Sequence, residues 1–327
     1  MIEADPNLLD NADWPMFGWR NDVRPALGEA FDGGRPVVLA TLFYREDSAP
    51  RGPGTQMLFD GTRATGYFSG DCIEADVARH AAATLADGEP RRLIYGIGSP
   101  WIDIRLRCGG GLHIFVERIA SDCAAAHTVL AMATARRSCL WQSDGRKQTA
   151  ALVHNQPQLT WQDDPLSIER RFDPPRRLLV SGGDPIALAI AKLANEAGFD
   201  TVLARPDGPE DGPQLAGVRY VRAEPLLALQ QFGPDRWTAF VGATHEDVHD
   251  VPACHAALCG GAGYVGLIGA FSRSAERTAA LTALGSDLKL LGELHMPAGL
   301  TGLGKAPWEV AVSVLAEVMQ AMNKAGS

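Results

Sequence analysis

"RLLVSGGDPIALAIAKLANEAGF", residues 177–199, decides the fold of the second half of this chain. Leu178, Leu179 and Val180 form a short apolar run that reads as a buried strand, and the run ends in Gly182-Gly183. From Pro185 the spacing becomes helical, and the helix closes at Gly198. "DTVLAR" (200–205) is a further strand, and "RWTAFVGAT" (236–244), a helix and "GYVGLIGA" (263–270) continue the alternation. Strand–helix alternation is the pattern of a parallel sheet with helices on both faces. "PWEVAVSVLAEVMQAMN" (307–323) closes the chain as a strong helix with proline at its start.

The turn "SGGD" lies where a dinucleotide fingerprint would lie, between strand and helix. Overlaying G-x-G-x-x-G/A places Gly182, Asp184 and Ala187 at the three key positions. The first and third fit. The second does not, because an aspartate adds bulk and negative charge where backbone should approach a pyrophosphate. The acid expected about 20 residues later to bind a ribose is replaced by Arg205, which has no acceptor to offer a diol. The residues therefore argue for a Rossmann-like scaffold and against NAD(P).

Outward from this half, the earlier residues read differently. "RPVVLATLFY" (35–44) is a nearly continuous apolar strand. Residues 48–59, a Pro/Gly loop followed by a strand, and 61–70, a turn and a second strand, suggest a hairpin, with 73–88 a helix, 91–97 and 112–119 strands, 123–137 a helix, and 138–155 a terminal hairpin. The stretch 155–177 is polar, charged and broken by proline, and reads as a linker. The expected fold class is α/β: an N-terminal α+β domain (1–160), a linker (161–175) and a Rossmann-like parallel-sheet domain (176–327).

Composition sets outer bounds. Of 327 residues, 46% are hydrophobic and 21% charged, as in ordinary globular chains. The net charge of −9 argues against nucleic acid as a partner. No apolar run is long enough for a membrane span, and the acidic N-terminus lacks a signal core, so a cytoplasmic location with reduced cysteines is expected. The cysteines (72, 108, 123, 139, 254 and 259) form no C-x-x-C pair. His245, His249, Cys254, His255 and Cys259 cluster in sequence but lack a tight metal-ligand pattern, so no metal site is expected. His245 is instead expected where a strand ends at the ligand-facing edge of the sheet.

"GDCIEADVARHA" (70–81) raises a separate question. Gly70 permits a tight turn, Asp71 can cap, and Ile73, Val77 and Ala81 give one helical stripe. Cys72 is then either a small core residue or a thiol in the positive field of a helix N-terminus.

Several segments, in order, carry a resemblance. "SAPRGPGTQML" (48–58) is similar to G-S-x-P-R-x-x-G-x-x-M, "GYFSGDCIEADV" (66–77) to G-x-x-S-G-G-C-x-E-x-x-V, and "CGGGLHIFVERI" (108–119) to C-G-G-x-x-x-V-x-x-E. "THEDVHDVPACHAAL" (244–258), "YVGLIGAFSR" (264–273) and "HMPAGLTGLGKAPWEVAVSVLAE" (295–317) are similar to T-H-D…D…L, Y-I-G-x-x-G-S-R-R and H-x-P-x-G-L-x-x-G-x-x-x-P-x-E-I-A-x-S-I-x-A-E. These are motifs of the XdhC/CoxI family, accessory factors of molybdenum hydroxylases such as xanthine dehydrogenase. Asp47, Asp71, Asp184 and Ala270-Phe271 depart from the pattern.

The resemblance implies a cofactor chaperone rather than a catalyst. It implies molybdenum cofactor (molybdopterin) as cargo, a cysteine desulfurase and a molybdenum hydroxylase client as partners, and a homodimer. The cofactor-binding positions it implies are Cys72, Cys108, Ser48, Arg51, Gly54, Gly70, Glu74, Gly109, Gly110, Gly182, Gly183, His245, Gly299 and Gly304. Arg51 and Ser48 would hold the pterin phosphate, and the thiols suit a sulfur-rich centre. Two other classes remain open: an NAD(P)-dependent oxidoreductase, and a divergent paralogue with only a protein-interaction role.

Overall fold

The computed structural model describes residues 17–18, 20–70, 73–96, 99, 106 and 109–325. The chain divides into two compact units, Met1–Pro174 and Pro175–Ser327.

In the first unit the elements are β1 (Phe17–Gly18), α1 (Arg24–Asp32), β2 (Val37–Glu46), β3 (Gln56–Phe59), β4 (Ala64–Thr65), α2 (Glu74–Asp87), β5 (Arg91–Tyr95), β6 (Gly111–Ile119) and α3 (Ala124–Thr134). They continue with β7 (Cys139–Ser143), β8 (Gln148–Leu152), β9 (Leu159–Asp163) and β10 (Leu166–Phe172). One sheet has the order β1-β4-β3-β2-β6-β5 and a second the order β8-β7-β10-β9. The apolar run of β2 has a simple cause, since both of its faces are covered. Val38, Ala40 and Leu42 join Val77 and Ala81 of α2 in one core, while Val37 and Leu39 join α1, α3 and the second sheet in another. Alternate strand residues point to opposite faces, so a strand covered on both sides loses its polar positions.

The stretch expected as a linker is not one. Residues 159–172 form an antiparallel hairpin, and β10 pairs with β7, so the 139–152 hairpin is not terminal either. The reason is that little of this hairpin is buried: only Ile168, Arg171 and Phe172 of it are. A strand pair with so few inward positions carries a polar sequence.

The second unit comprises β11 (Arg177–Ser181), α4 (Pro185–Glu196), β12 (Asp200–Ala204), β13 (Val218–Val221), α5 (Pro225–Phe232), β14 (Thr238–Gly242), α6 (Asp247–Cys259), β15 (Tyr264–Leu267), α7 (Ser274–Ala283), α8 (Leu288–Gly292), β16 (Leu294–His295) and α9 (Pro307–Ala325). Its strands are all parallel in the order β13-β12-β11-β14-β15-β16. That is the doubly wound order of a Rossmann sheet, with its switch point between β11 and β14. Leu178 and Val180 face α4 and α9, and Leu179 faces α5 and α6. No helix among the described residues is long and apolar enough to cross a membrane.

Candidate functional site

In the first unit, three motif loops meet at one end of the six-stranded sheet. β2 ends at Glu46 opposite Gly111, where β6 begins, and β5 ends at Tyr95 opposite Leu112. A Cβ on Gly110 would sit 2.2 Å from the Ser48 carbonyl oxygen, and one on Gly96 would sit 2.0 Å from that of Gly110. These contacts press the 46–48, 95–96 and 109–111 segments together, and only glycine allows that approach. Tyr95 donates to Asp76 Oδ2 (2.7 Å), which brings the first turn of α2 to the same place. Gly70 (φ +78) and Gly109 (φ +73) are left-handed and have open space where a side chain would be.

Glu74 controls the loop before α2. Its Oε1 accepts the amides of Phe68 (2.9 Å), Ser69 (2.6 Å) and Gly70 (3.1 Å). Its Oε2 accepts the Ser69 hydroxyl (2.7 Å) and the amide of Ile73 (3.2 Å). Burial works to raise its pKa, but these donors prevail and hold it below the usual carboxylate range. Glu74 therefore positions the loop that precedes α2. α2 starts at Glu74 with Ile73 at the N-cap. Asp71, Cys72 and Cys108 lie outside the described residues; the chain on both sides of residues 71–72, at Gly70 and Ile73, is held by this one carboxylate.

Ser48 is exposed. Arg51 donates to the Tyr67 hydroxyl (3.2 Å) and to Asn21 Oδ1, and lies over the Tyr67 ring at 4.7 Å. Gly54, with φ +90, gives its carbonyl to Arg170 Nε at 2.8 Å. Arg170 belongs to none of the motifs read in the sequence.

In the second unit the glycine turn is closed on itself. Gly182 (φ +139) lies against Ala243, where a Cβ would be 2.5 Å from the carbonyl oxygen, so the first fingerprint position is a close approach of β11 to β14. A Cβ on Gly183 would be 2.6 Å from Arg205 Cδ. Asp184 is the N-cap of α4: Oδ1 accepts the Ala187 amide (2.8 Å), and Oδ2 lies 3.1 Å from His245 Nε2. His245 itself is left-handed (φ +66), and its carbonyl accepts from Arg273 (3.1 Å). Beneath them, buried Asp250 takes the Ser181 hydroxyl (2.8 Å) and the Thr244 amide (3.1 Å), which ties the ends of β11 and β14 together. Burial raises its pKa against those donors and Arg277. Asp250 stood inside a motif without a role that sequence alone could assign.

A dinucleotide pyrophosphate would have to displace the carboxylate that already caps this helix. Calorimetry is therefore expected to find no micromolar NAD or NADP binding. Asp184→Gly, which keeps a tolerable N-cap, should raise phosphate affinity; Asp184→Ala should cost roughly 1 kcal/mol of stability.

Gly299 and Gly304 have packing explanations. A Cβ on Gly299 (φ +108) would be 2.5 Å from Ser313 Oγ, and one on Gly304 would fall on the Glu309 carboxylate. Glu309 accepts the Ala306 amide (2.9 Å) at the start of α9. The ends of the closing motif also interlock: Glu317 accepts from the Tyr264 hydroxyl (2.7 Å) and the Gly299 amide (2.7 Å), and pairs with His295 at 3.1 Å. Both glycines are close approaches that seat α9.

The helical histidines point apart. His249 pairs with Glu224 (2.7 Å) and His255 meets Ser286 (2.8 Å); no group of three or more metal-ligating side chains occurs among the described residues.

Comparison with known proteins matches these motifs. The XdhC Rossmann domain family matches residues 178–318, and the XdhC and CoxI family matches residues 30–96. The molybdenum cofactor insertion chaperone PaoD of Escherichia coli is 29% identical over 295 residues, covering 89% of this chain and 85% of that protein. A Bacillus subtilis protein named as a probable xanthine dehydrogenase subunit is 28% identical over 331 residues, covering 88% of this chain and 94% of its own. A crystal structure described as a xanthine dehydrogenase from Bacillus halodurans shares the fold, with a TM-score of 0.71 at 20% identity over 92% of this chain and 96% of the other. With residues 30–96 and 178–318 matched in order, the chain belongs to the XdhC/CoxI family.

Proposed function

We propose that this protein is a non-catalytic accessory factor that holds molybdenum cofactor, supports its sulfuration and helps deliver it to a molybdenum hydroxylase of the xanthine dehydrogenase type. The observation that carries the reading is the meeting of the 46–48, 95–96 and 109–111 segments at one sheet end, to which Tyr95 ties the first turn of α2, with Glu74 of that turn holding the 68–70 loop. The relatives named for cofactor insertion and for a xanthine dehydrogenase subunit support it.

The residues present fit such a cargo. Arg51 keeps its Nε enclosed and without a hydrogen-bond partner, while Gly70 and Gly109 leave room for close backbone approach. A molybdenum dithiolene is a soft, sulfur-rich centre, for which thiolates are the matching side chains. Cys72 and Cys108 would supply them, Arg51 and Ser48 would hold the phosphate end, and Glu74 would fix the loop that presents Cys72. A cysteine desulfurase and the client hydroxylase are the partners in this reading, with a homodimer as the working assembly. The capped α4 N-terminus disfavours the nicotinamide-dependent alternative.

Cys72→Ser keeps size and hydrogen bonding and removes only the soft sulfur. Molybdenum content after purification from a cofactor-producing host, and activation of the apo-hydroxylase, should both fall to background. Wild-type values in both assays would mean that Cys72 only fills space.

A further inference from the structure

Two half-buried arginines at the Pro/Gly loop of the first unit have no acid partner among the described residues. Arg51 rests on neutral groups: the Asn21 amide oxygen and the Tyr67 hydroxyl and ring. Arg170 likewise rests on the Gly54 carbonyl and the Phe172 ring, 3.9 Å from its guanidinium carbon. Each leaves one buried nitrogen unbonded, Nε of Arg51 and Nη1 of Arg170. Both serve the same short loop, since Arg51 belongs to it and Arg170 reaches its Gly54 carbonyl from β10.

The nearby carboxylates are committed elsewhere. Asp22 is bonded to Arg24 through its amide (3.0 Å), Nε (2.8 Å) and Nη2 (2.8 Å). Asp173 takes Arg171 Nε (3.2 Å) and Nη2 (3.0 Å) and the Ser138 hydroxyl (2.8 Å). Burial first, and the Arg24 charge second, act against the positive charge of Arg170, with only a partial pull from Asp22 and Asp173 in its favour. A guanidinium stays protonated in proteins, so an anion, and not loss of a proton, would offset this burial. Stacking on Tyr67 and Phe172 fixes the two planar groups, as suits recognition of a phosphate.

We propose that Arg51 and Arg170 form a two-armed site for a phosphate monoester, with Arg170 of the β9–β10 hairpin as its unrecognised second arm. Resting on the function proposed above, the occupant is the phosphate of the pterin cargo, and the hairpin is a part of the cargo site.

Inorganic phosphate is the probe, titrated into the full-length protein by calorimetry at constant ionic strength, with chloride as the reference anion. Wild type should bind phosphate in preference to chloride. Arg51→Gln and Arg170→Gln should each weaken phosphate at least about tenfold, as expected for losing a charge-assisted arm. Arg92→Gln is the control, because Arg92 already pairs with Asp163. Circular dichroism checks folding; should Arg170→Gln not fold, Arg170→Lys keeps the charge, loses the forked geometry and should still weaken phosphate while Arg51→Gln is read independently. Wild-type phosphate affinity in the arginine variants, or an equal loss in Arg92→Gln, overturns the site. Retention of molybdenum cofactor is measured on the same variants. Loss of phosphate binding with full cofactor retention would keep the anion site and reject the cargo assigned to it.

Discussion

Glu74→Ala is expected to cost the first unit on the order of 4 kcal/mol and to abolish cargo retention without removing any cysteine. Among the described residues the carboxylate accepts four backbone amides and one hydroxyl, and Glu74 is 2% exposed. Alanine would leave those donors inside the protein, where each unmet one carries a desolvation cost of about 1–3 kcal/mol, partly recovered as the loop opens to water. Glu74→Gln separates shape from charge. Its carbonyl can keep the Phe68, Ser69 and Gly70 amides, but its NH₂ would face the Ile73 amide, so a loss near 2 kcal/mol is expected. Because the folded carboxyl titrates below its ordinary range, the stability it supplies is present above that range and is lost as pH falls through the lowered pKa. Glu74→Gln should flatten this acid limb in denaturant midpoints measured between about pH 5 and 3. Amide exchange should quicken across 68–73 in both variants; unchanged protection there would defeat the positioning role.

The part of this design that sequence reveals is the part made by local rules. β2 is legible because burial on both faces writes a continuous apolar run, and α4 because strand, glycine turn, Pro185 and helical spacing follow one another. Asp184 is legible twice over: the residue that spoils a dinucleotide fingerprint is also a good N-cap before an N1 proline, and the structure uses the second property. Motif glycines show less. Gly110, Gly182, Gly299 and Gly304 are needed where two backbones or a backbone and a side chain approach, and the identity of the partner is a tertiary fact. Arg170 marks the limit. Its bond to Gly54 spans 116 positions and joins a motif loop to a polar hairpin whose exposed faces give no strand period. A proline-rich, charged sequence is compatible with both a linker and an edge hairpin, and only the pairing of β10 with β7 decides between them.

Glu117→Gln is expected to stabilise the protein above neutral pH, the opposite sign to Glu74. Glu117 points from β6 towards the second sheet and is fully buried, among Trp141 Nε1 (3.3 Å), Gln148 Nε2 (3.0 Å) and the Ser143 hydroxyl. Burial outweighs these donors and pushes its pKa up to about 7. Folding therefore binds a proton that the unfolded chain, with an ordinary carboxyl, releases earlier. Between the unfolded and folded values the native state holds more protons, so stability is full below the unfolded pKa and declines as pH rises through the folded one. A displacement of this size corresponds to about 3 kcal/mol at most, reached above pH 7. Glutamine is uncharged at every pH and can hold Trp141 with its carbonyl while donating to Ser143, so it should remove the decline. Urea midpoints at pH 5.5 and 8 are the measurement: wild type should fall between them, the variant should not, and the gap between the two should be wider at pH 8. A wild-type decline that survives in Glu117→Gln would assign it to another group and leave Glu117 ionised in the folded protein. With Glu74 losing stability on the acid side and Glu117 on the alkaline side, the first unit should be most stable between their two transitions.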